Sequence, residues 1–117
     1  MAARRILTAV ARAHRMTLDQ LLEKTRRKGV TKPRQMAMLI LRETTTCSLP
    51  RIGEVMNRDG VSFDHTTVMY GLKRARHWIE TDPVFKATYL ELRRSLGVSE
   101  LRAARDLERA EQAQAAA

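Results

Sequence analysis

Phe63-Asp64-His65-Thr66-Thr67-Val68-Met69-Tyr70 is the stretch on which the fold turns. Asp64 is a natural helix N-cap, because its carboxylate accepts backbone N–H groups that have no partner in the first helical turn. Phe63 and Val68 stand at the two positions of a hydrophobic staple, which fixes the angle at which the chain enters the helix. Beyond them Val68, Leu72, Ala75 and Ile79 recur at helical spacing and define one buried face. His65, Thr66 and Thr67 are therefore short polar groups presented outward at the end of a rigid rod.

Upstream, Ser48-Leu49-Pro50 restarts the chain as a short helix bearing Ile52, Val55 and Met56. Residues 57–62 read as a turn-rich loop with Asp59-Gly60 at its centre. Two helices, at 50–56 and 64–80, joined by a turn make a helix-turn-helix candidate. In such a unit the N-terminal residues of the second helix enter the major groove of DNA and touch base edges.

The remaining segments also carry helical period or punctuation, and none alternates like a strand. A first helix is expected over Ala3 to Ala13 with Ile6, Leu7 and Val10 inward. Thr17 starts a second, with Gln20 completing a capping box. In Arg26-Arg27-Lys28-Gly29 the glycine ends that helix and leaves three cations on a loop. Pro33 suits the first turn of a third helix running to about Thr45, with Met36, Leu39 and Ile40 inward and one of the Met36/Met38 pair on the surface. Thr81-Asp82-Pro83 caps a sixth helix with the stripe Phe85, Tyr89, Leu92 and Leu96, stopped by Gly97. The expectation is an all-α fold of about six helices. Residues 1–97 form one helix-turn-helix domain, and residues 98–117 form an Ala-rich charged tail, helical or frayed.

A chain of 117 residues with net charge +9 buries a modest core in one domain. The charge is lopsided. Residues 1–34 carry ten Lys/Arg against Asp19 and Glu23, whereas residues 81–117 carry six against six. Such a field draws a polyanion to one part of the molecule. The basic residues do not lie opposite a strongly apolar face, which argues against a membrane surface. Cys47 is alone, so no disulfide forms within the chain, and a reducing cytoplasm fits. His14, His65, His77 and Cys47 lack metal-ligand spacing, no cofactor is implied, and no Gly-rich nucleotide loop exists. Asp64 and His65, as neighbours about 100° apart on a helix, do not form an orienting pair of the catalytic kind. An enzyme is not expected. At 4% aromatic the chain is poorly equipped to stack single strands.

Read from the residues alone, Asp64 accepts from an exocyclic base amine, while the methyls of Thr66 and Thr67 and the ring of His65 suit the thymine methyl. The loop at 26–28 offers an arginine to a narrow, A·T-rich minor groove. Lys32, Arg34 and Arg42, with the free N–H groups at helix starts, suit backbone phosphates.

These residues also match a family. From Val30 to Ala75 the chain resembles the C-terminal DNA-binding domain of the bacterial replication initiator DnaA. The matching blocks are Pro33-Arg34-Gln35-Met36-Ala37-Met38, Ser48-Leu49-Pro50-Arg51-Ile52-Gly53 and Asp64-His65-Thr66-Thr67-Val68, after a basic loop. Weaker similarity reaches back to about Ile6 and forward to about Leu96. The resemblance implies a helix-turn-helix of the Trp-repressor type and an A·T-rich DnaA box as target. It further implies that Arg26 reads the minor groove, that Asp64, His65, Thr66 and Thr67 read the major groove, and that Gln35, Arg42, Leu49 and Pro50 hold the sugar–phosphate backbone. Arg27 and Lys28, beside Arg26, join those backbone contacts. Two departures stand out. The connection from Asn57 to Phe63 is longer than the family's, which leaves three consequences open: a shifted recognition helix, an added phosphate contact through Arg58, or a changed preferred sequence. Phe63 also replaces the family's arginine before the Asp-His-Thr-Thr block.

The resemblance covers only the DNA-reading end of the initiator, without its ATPase module, so the expected protein is small, free-standing, cytoplasmic and nucleoid-associated. It would bind double-stranded DNA, without nucleotide, as a regulator of transcription or of replication initiation, in competition with the full-length initiator. Two other classes stay open: a protein–protein interaction module and an RNA-binding adaptor with non-specific nucleic-acid affinity.

Overall fold

The computed structural model describes residues 2–57, 60 and 62–97. The expectations for Arg58 and for the tail at 98–117 lie outside these residues. Among the described residues the chain forms six α-helices, a closing π-helical turn at Arg93–Gly97 and no strand. The helices are α1 (Ala2–Ala13), α2 (Leu18–Leu21), α3 (Lys28–Thr44), α4 (Leu49–Val55), α5 (His65–Thr81) and α6 (Pro83–Leu92). None of them is long and apolar enough to cross a membrane.

Ile6, Leu7 and Val10 give α1 the stripe predicted for it, and Ala3 is buried beside them. The helix closes in a Schellman motif. Arg15 takes φ 56° where glycine is usual, and the N–H groups of Arg15 and Met16 donate to the carbonyls of Arg12 (3.1 Å) and Ala11 (3.0 Å). The α2 turn is held by the capping box: Gln20 N–H donates to Thr17 Oγ1 (3.1 Å) and Thr17 N–H donates to Gln20 Oε1 (2.9 Å).

The boundary between α2 and α3 differs from the sequence expectation. α2 stops at Leu21, well before Gly29, and α3 begins at Lys28, so Gly29 lies in its first turn and Pro33 inside the helix rather than in its first turn. The cause is tertiary. Arg34 is buried, and its guanidinium donates to the carbonyl of Glu23 and to that of Thr25 (2.9 Å), holding residues 23–27 in a non-helical connection. Pro33 forfeits only the single bond its N–H would have made to the carbonyl of Gly29.

α3 is the axis of the domain and packs against α1, α2, α4 and α5. Its run from Met36 to Leu41 is buried on every side, each residue at most 2% exposed. Met38 is therefore core along with Met36, correcting the expectation that one of the pair faces solvent. The helix ends at Thr44, where three threonines in a row lose rotamer freedom in a helix.

Ser48 caps α4, its hydroxyl accepting the Arg51 N–H (3.3 Å). The two helices of the helix-turn-helix meet backbone to backbone. The N–H of Phe63 donates to the carbonyl of Gly53 (3.1 Å), and a Cβ on Gly53 would lie 2.0 Å from the Phe63 carbonyl oxygen. Only glycine fits there. Asp82 caps α6 through Val84 N–H (3.0 Å) and Phe85 N–H (3.2 Å), while its second oxygen receives Lys32 Nζ at 2.5 Å. The Lys32 hydrogen bond, helped by the cap, holds the Asp82 carboxyl below the usual carboxylate range. Phe85, Tyr89, Leu92 and Leu96 are buried as the stripe predicts. The Tyr89 hydroxyl is pushed up to about 12 by burial and by its bond to Glu43, and Arg93 reaches the same carboxylate at 2.8 Å.

Candidate nucleic-acid interface

α5 begins where the sequence places it. Asp64 has extended backbone geometry and its carboxylate accepts the Thr66 N–H at 3.1 Å, so Asp64 is the N-cap. That bond, ahead of the other influences, holds the Asp64 carboxyl below its ordinary value. Val68, Leu72 and Ala75 are buried beneath, and Asp64, His65, Thr66 and Thr67 are all exposed.

One expectation about this turn is corrected. His65 Nδ1 lies 2.9 Å from Asp64 Oδ1, so the carboxylate does orient the imidazole. The 100° rule holds between helical residues, and Asp64, as a cap, is outside the helix. With Nδ1 facing the carboxylate, Nε2 is left as the outward atom of the ring.

A groove of about 660 Å³ runs from this turn along α5, between α5 on one side and the start of α3 with the preceding loop on the other. Thr66, Thr67, Tyr70, Arg74 and Trp78 line it from α5. Thr25, Arg26, Lys28, Thr31, Arg34 and Gln35 line the opposite wall, and Gly71 and Met38 lie between. Glycine at 71 lets α5 approach α3, since a Cβ there would lie 2.5 Å from Met38 Sδ. Among the lining residues are four cations and no carboxylate. The groove thus joins Arg26 and Lys28 to Thr66 and Thr67, although about forty positions of chain separate the two pairs.

The other candidate residues divide. Arg27 is exposed at the end of the basic loop, as the N-cap residue of α3. Arg34 lines the groove, but its guanidinium is committed to the carbonyls of Glu23 and Thr25. Lys32 is half-buried, paired with Asp82 and 4.1 Å from the centre of the Trp78 ring. Gln35 Oε1 accepts from Trp78 Nε1 at 2.9 Å. Arg42, Leu49 and Pro50 are not in the groove. They sit at the corner between α3 and α4, where Arg42 donates to the Cys47 carbonyl at 3.0 Å.

Tyr70 and Arg74 were not singled out from sequence. Tyr70 is 61% exposed, and Arg74 lies against the Trp78 ring with its guanidinium 4.5 Å from the ring centre. A signal was present: Thr67, Tyr70, Arg74 and Trp78 recur at helical spacing on the face away from Val68 and Leu72.

A family model described as the bacterial DnaA protein helix-turn-helix matches residues 3–75. Among curated proteins, the chromosomal replication initiator protein DnaA of Neisseria meningitidis serogroup C is 38% identical over 87 residues, covering 74% of this chain and 16% of that protein. The corresponding initiator of Lacticaseibacillus casei is 40% identical over 91 residues, covering 78% of this chain and 19% of that protein. The chain spans less than a fifth of the length of these relatives.

Proposed function

The chain belongs to the bacterial DnaA helix-turn-helix family, and from that premise we propose that it binds double-stranded DNA at an A·T-rich site of the DnaA-box kind. The groove carries this reading. Four cations without a carboxylate line it, with two outward-facing threonines at the α5 end, and a channel of this character suits one phosphodiester strand of a duplex.

In this reading the first turn of α5 enters the major groove. The Asp64 carboxylate has lone pairs left for the exocyclic amine of cytosine or adenine, and Thr66 and Thr67 offer methyls to thymine. Arg26 reaches the adjacent minor groove, where A·T-rich narrowing deepens the negative potential. The strand between the two readers crosses Lys28, Arg27 and Arg74 and passes the Gln35 wall. Arg42, Leu49 and Pro50 hold the backbone on the α4 side, and Lys32, despite its ion pair, stays within reach of the basic end. Arg34 serves by shaping the loop that carries Arg26. The protein acts by occupying sites and not by catalysis, as a regulator of transcription or of replication initiation that competes with the full-length initiator. Such a target implies a cytoplasmic, nucleoid-associated protein.

The test is a titration of a duplex holding a DnaA box against a scrambled duplex of equal composition at one fixed salt concentration. Trp78, the single tryptophan of the chain, borders the groove, so its emission reports filling of the channel without a label. The box duplex should bind roughly tenfold tighter or more. Equal affinity for the two, or unchanged Trp78 emission at saturation, refutes the reading.

A further inference from the structure

Phe63 touches both parts of the proposed reading surface. Its ring is almost fully buried, 9% exposed, and two cations from the basic side of the molecule rest against it. Lys24 Nζ lies 4.8 Å from the ring centre and the Arg34 guanidinium 4.9 Å. Lys24 also donates to the carbonyl of Ser62 at 2.5 Å. Arg34 in turn donates to the carbonyls of Glu23 and Thr25, and Thr25 Oγ1 accepts the N–H of Arg27 at 3.3 Å. The backbone of Phe63 is pinned on its other side to Gly53 of α4 (3.1 Å), and the next residue is the α5 cap.

The segment 23–27, which carries Arg26, therefore rests on the residue that sets where α5 begins. Without that support it would be a short surface loop with few apolar contacts of its own, the kind of segment that opens locally. An aromatic face holds a cation in a way an aliphatic side chain of similar size does not.

We propose that Phe63 is a positioning residue that locks the Arg26 loop to the first turn of α5, so that the minor-groove and major-groove readers are set at one fixed spacing on the duplex. The proposal rests on the DNA reading above, and its tests separate the two. Phe63→Leu keeps an apolar side chain but removes the aromatic face, whereas Phe63→Tyr keeps the face. Lys24→Met removes one of the two cations without touching the core.

Two measurements decide it. The first needs no DNA: amide order parameters of residues 24–28 should fall in Phe63→Leu and remain near wild type in Phe63→Tyr, with Lys24→Met between them. The second is a double-mutant cycle on the ratio of box to scrambled affinity at fixed salt. Phe63→Leu should lower that ratio roughly tenfold, and Arg26→Ala should then cost much less than it costs in the wild-type background. If Phe63→Leu fails to fold, Lys24→Met carries both measurements. Unchanged order in the loop, or an Arg26→Ala loss that is the same in both backgrounds, overturns the lock. Absence of any box preference in the wild type sinks the DNA reading instead, and the order parameters then judge the lock alone.

Discussion

Replacing Gly53 with alanine sets two effects against each other, and the structure decides the sign. In a helix interior alanine is favoured over glycine by about 1 kcal/mol on propensity alone, so a sequence view expects Gly53→Ala to stabilise α4. The new Cβ, however, lies 2.0 Å from the carbonyl oxygen of Phe63 and 3.1 Å from its carbonyl carbon. Both are main-chain atoms, so no rotamer change relieves the contact. Restoring an ordinary van der Waals separation requires the two backbones to part by about 1 Å or more. Overpacking strain of that sort costs roughly 1–3 kcal/mol, and the Phe63–Gly53 hydrogen bond, worth about 1 kcal/mol, weakens as well. After the propensity gain, the net expectation is a loss of roughly 1–3 kcal/mol. Two internal comparators sharpen it. At Gly29 a Cβ meets nothing within 4 Å, so Gly29→Ala should gain up to about 1 kcal/mol. At Gly71 the obstacle is Met38 Sδ at 2.5 Å, an atom of a flexible side chain, and Gly71→Ala should fall within about 1 kcal/mol of wild type. Urea unfolding followed by far-ultraviolet circular dichroism, with unchanged m-values, gives the three midpoints. A Gly53→Ala midpoint at or above wild type would refute the reasoning.

Four further outcomes are expected. His65→Ala should lower the preference for the box over scrambled duplex by roughly 1–3 kcal/mol while leaving the melting temperature unchanged, because the ring is exposed; a change in melting without a change in preference would make His65 structural. Lys28→Ala should weaken binding to all sequences alike and reduce the slope of log affinity on log salt by about one. Lys32→Ala should change that slope less, because Lys32 already has Asp82 as a partner at 2.5 Å; equal slopes for the two variants would show that the pair opens on the duplex. Asp82 has a depressed pKa, so its contribution to stability is fully present above the unfolded-state value of about 4 and is lost as pH falls through the lower folded-state value. Asp82→Asn should therefore flatten the acid limb of stability against pH, and an unaltered limb would show that the pair with Lys32 carries nothing.

Much of this fold was legible because its punctuation is local. The caps at Thr17, Ser48, Asp64 and Asp82 each use a side chain to bond backbone two or three residues away, and such pairs are visible in a linear string. The stripes of α1, α5 and α6 were legible for the same reason. What escaped depends on distant partners. The α2–α3 boundary is set by Arg34 binding carbonyls 9 and 11 positions upstream, so the helix-ending role expected of Gly29 and the first-turn role expected of Pro33 are not realised. Periodicity marks a buried face but cannot mark a helical run buried all round, so it assigns Met38, which is core, to the surface. Arg15 at φ 56° carries no residue-type signal, since arginine has no preference for left-handed backbone. At the interface, the exposed turn at 64–67 was readable, but Tyr70 and Arg74 gain their place from a groove whose other wall lies in a different part of the chain.

The division between the fully buried run Met36–Leu41 of α3 and an outward-facing first turn of α5 has an engineering consequence. Thr66, Thr67 and Tyr70 are all exposed; substitutions at such sites usually alter stability by no more than about 0.5 kcal/mol. The surface of this turn and the foldedness of the domain can thus be varied almost separately. A combinatorial library randomised at His65, Thr66, Thr67 and Tyr70 should consist mostly of well-folded members; on the proposed DNA reading, the domain is a chassis to be readdressed to new operators while its interior stays untouched.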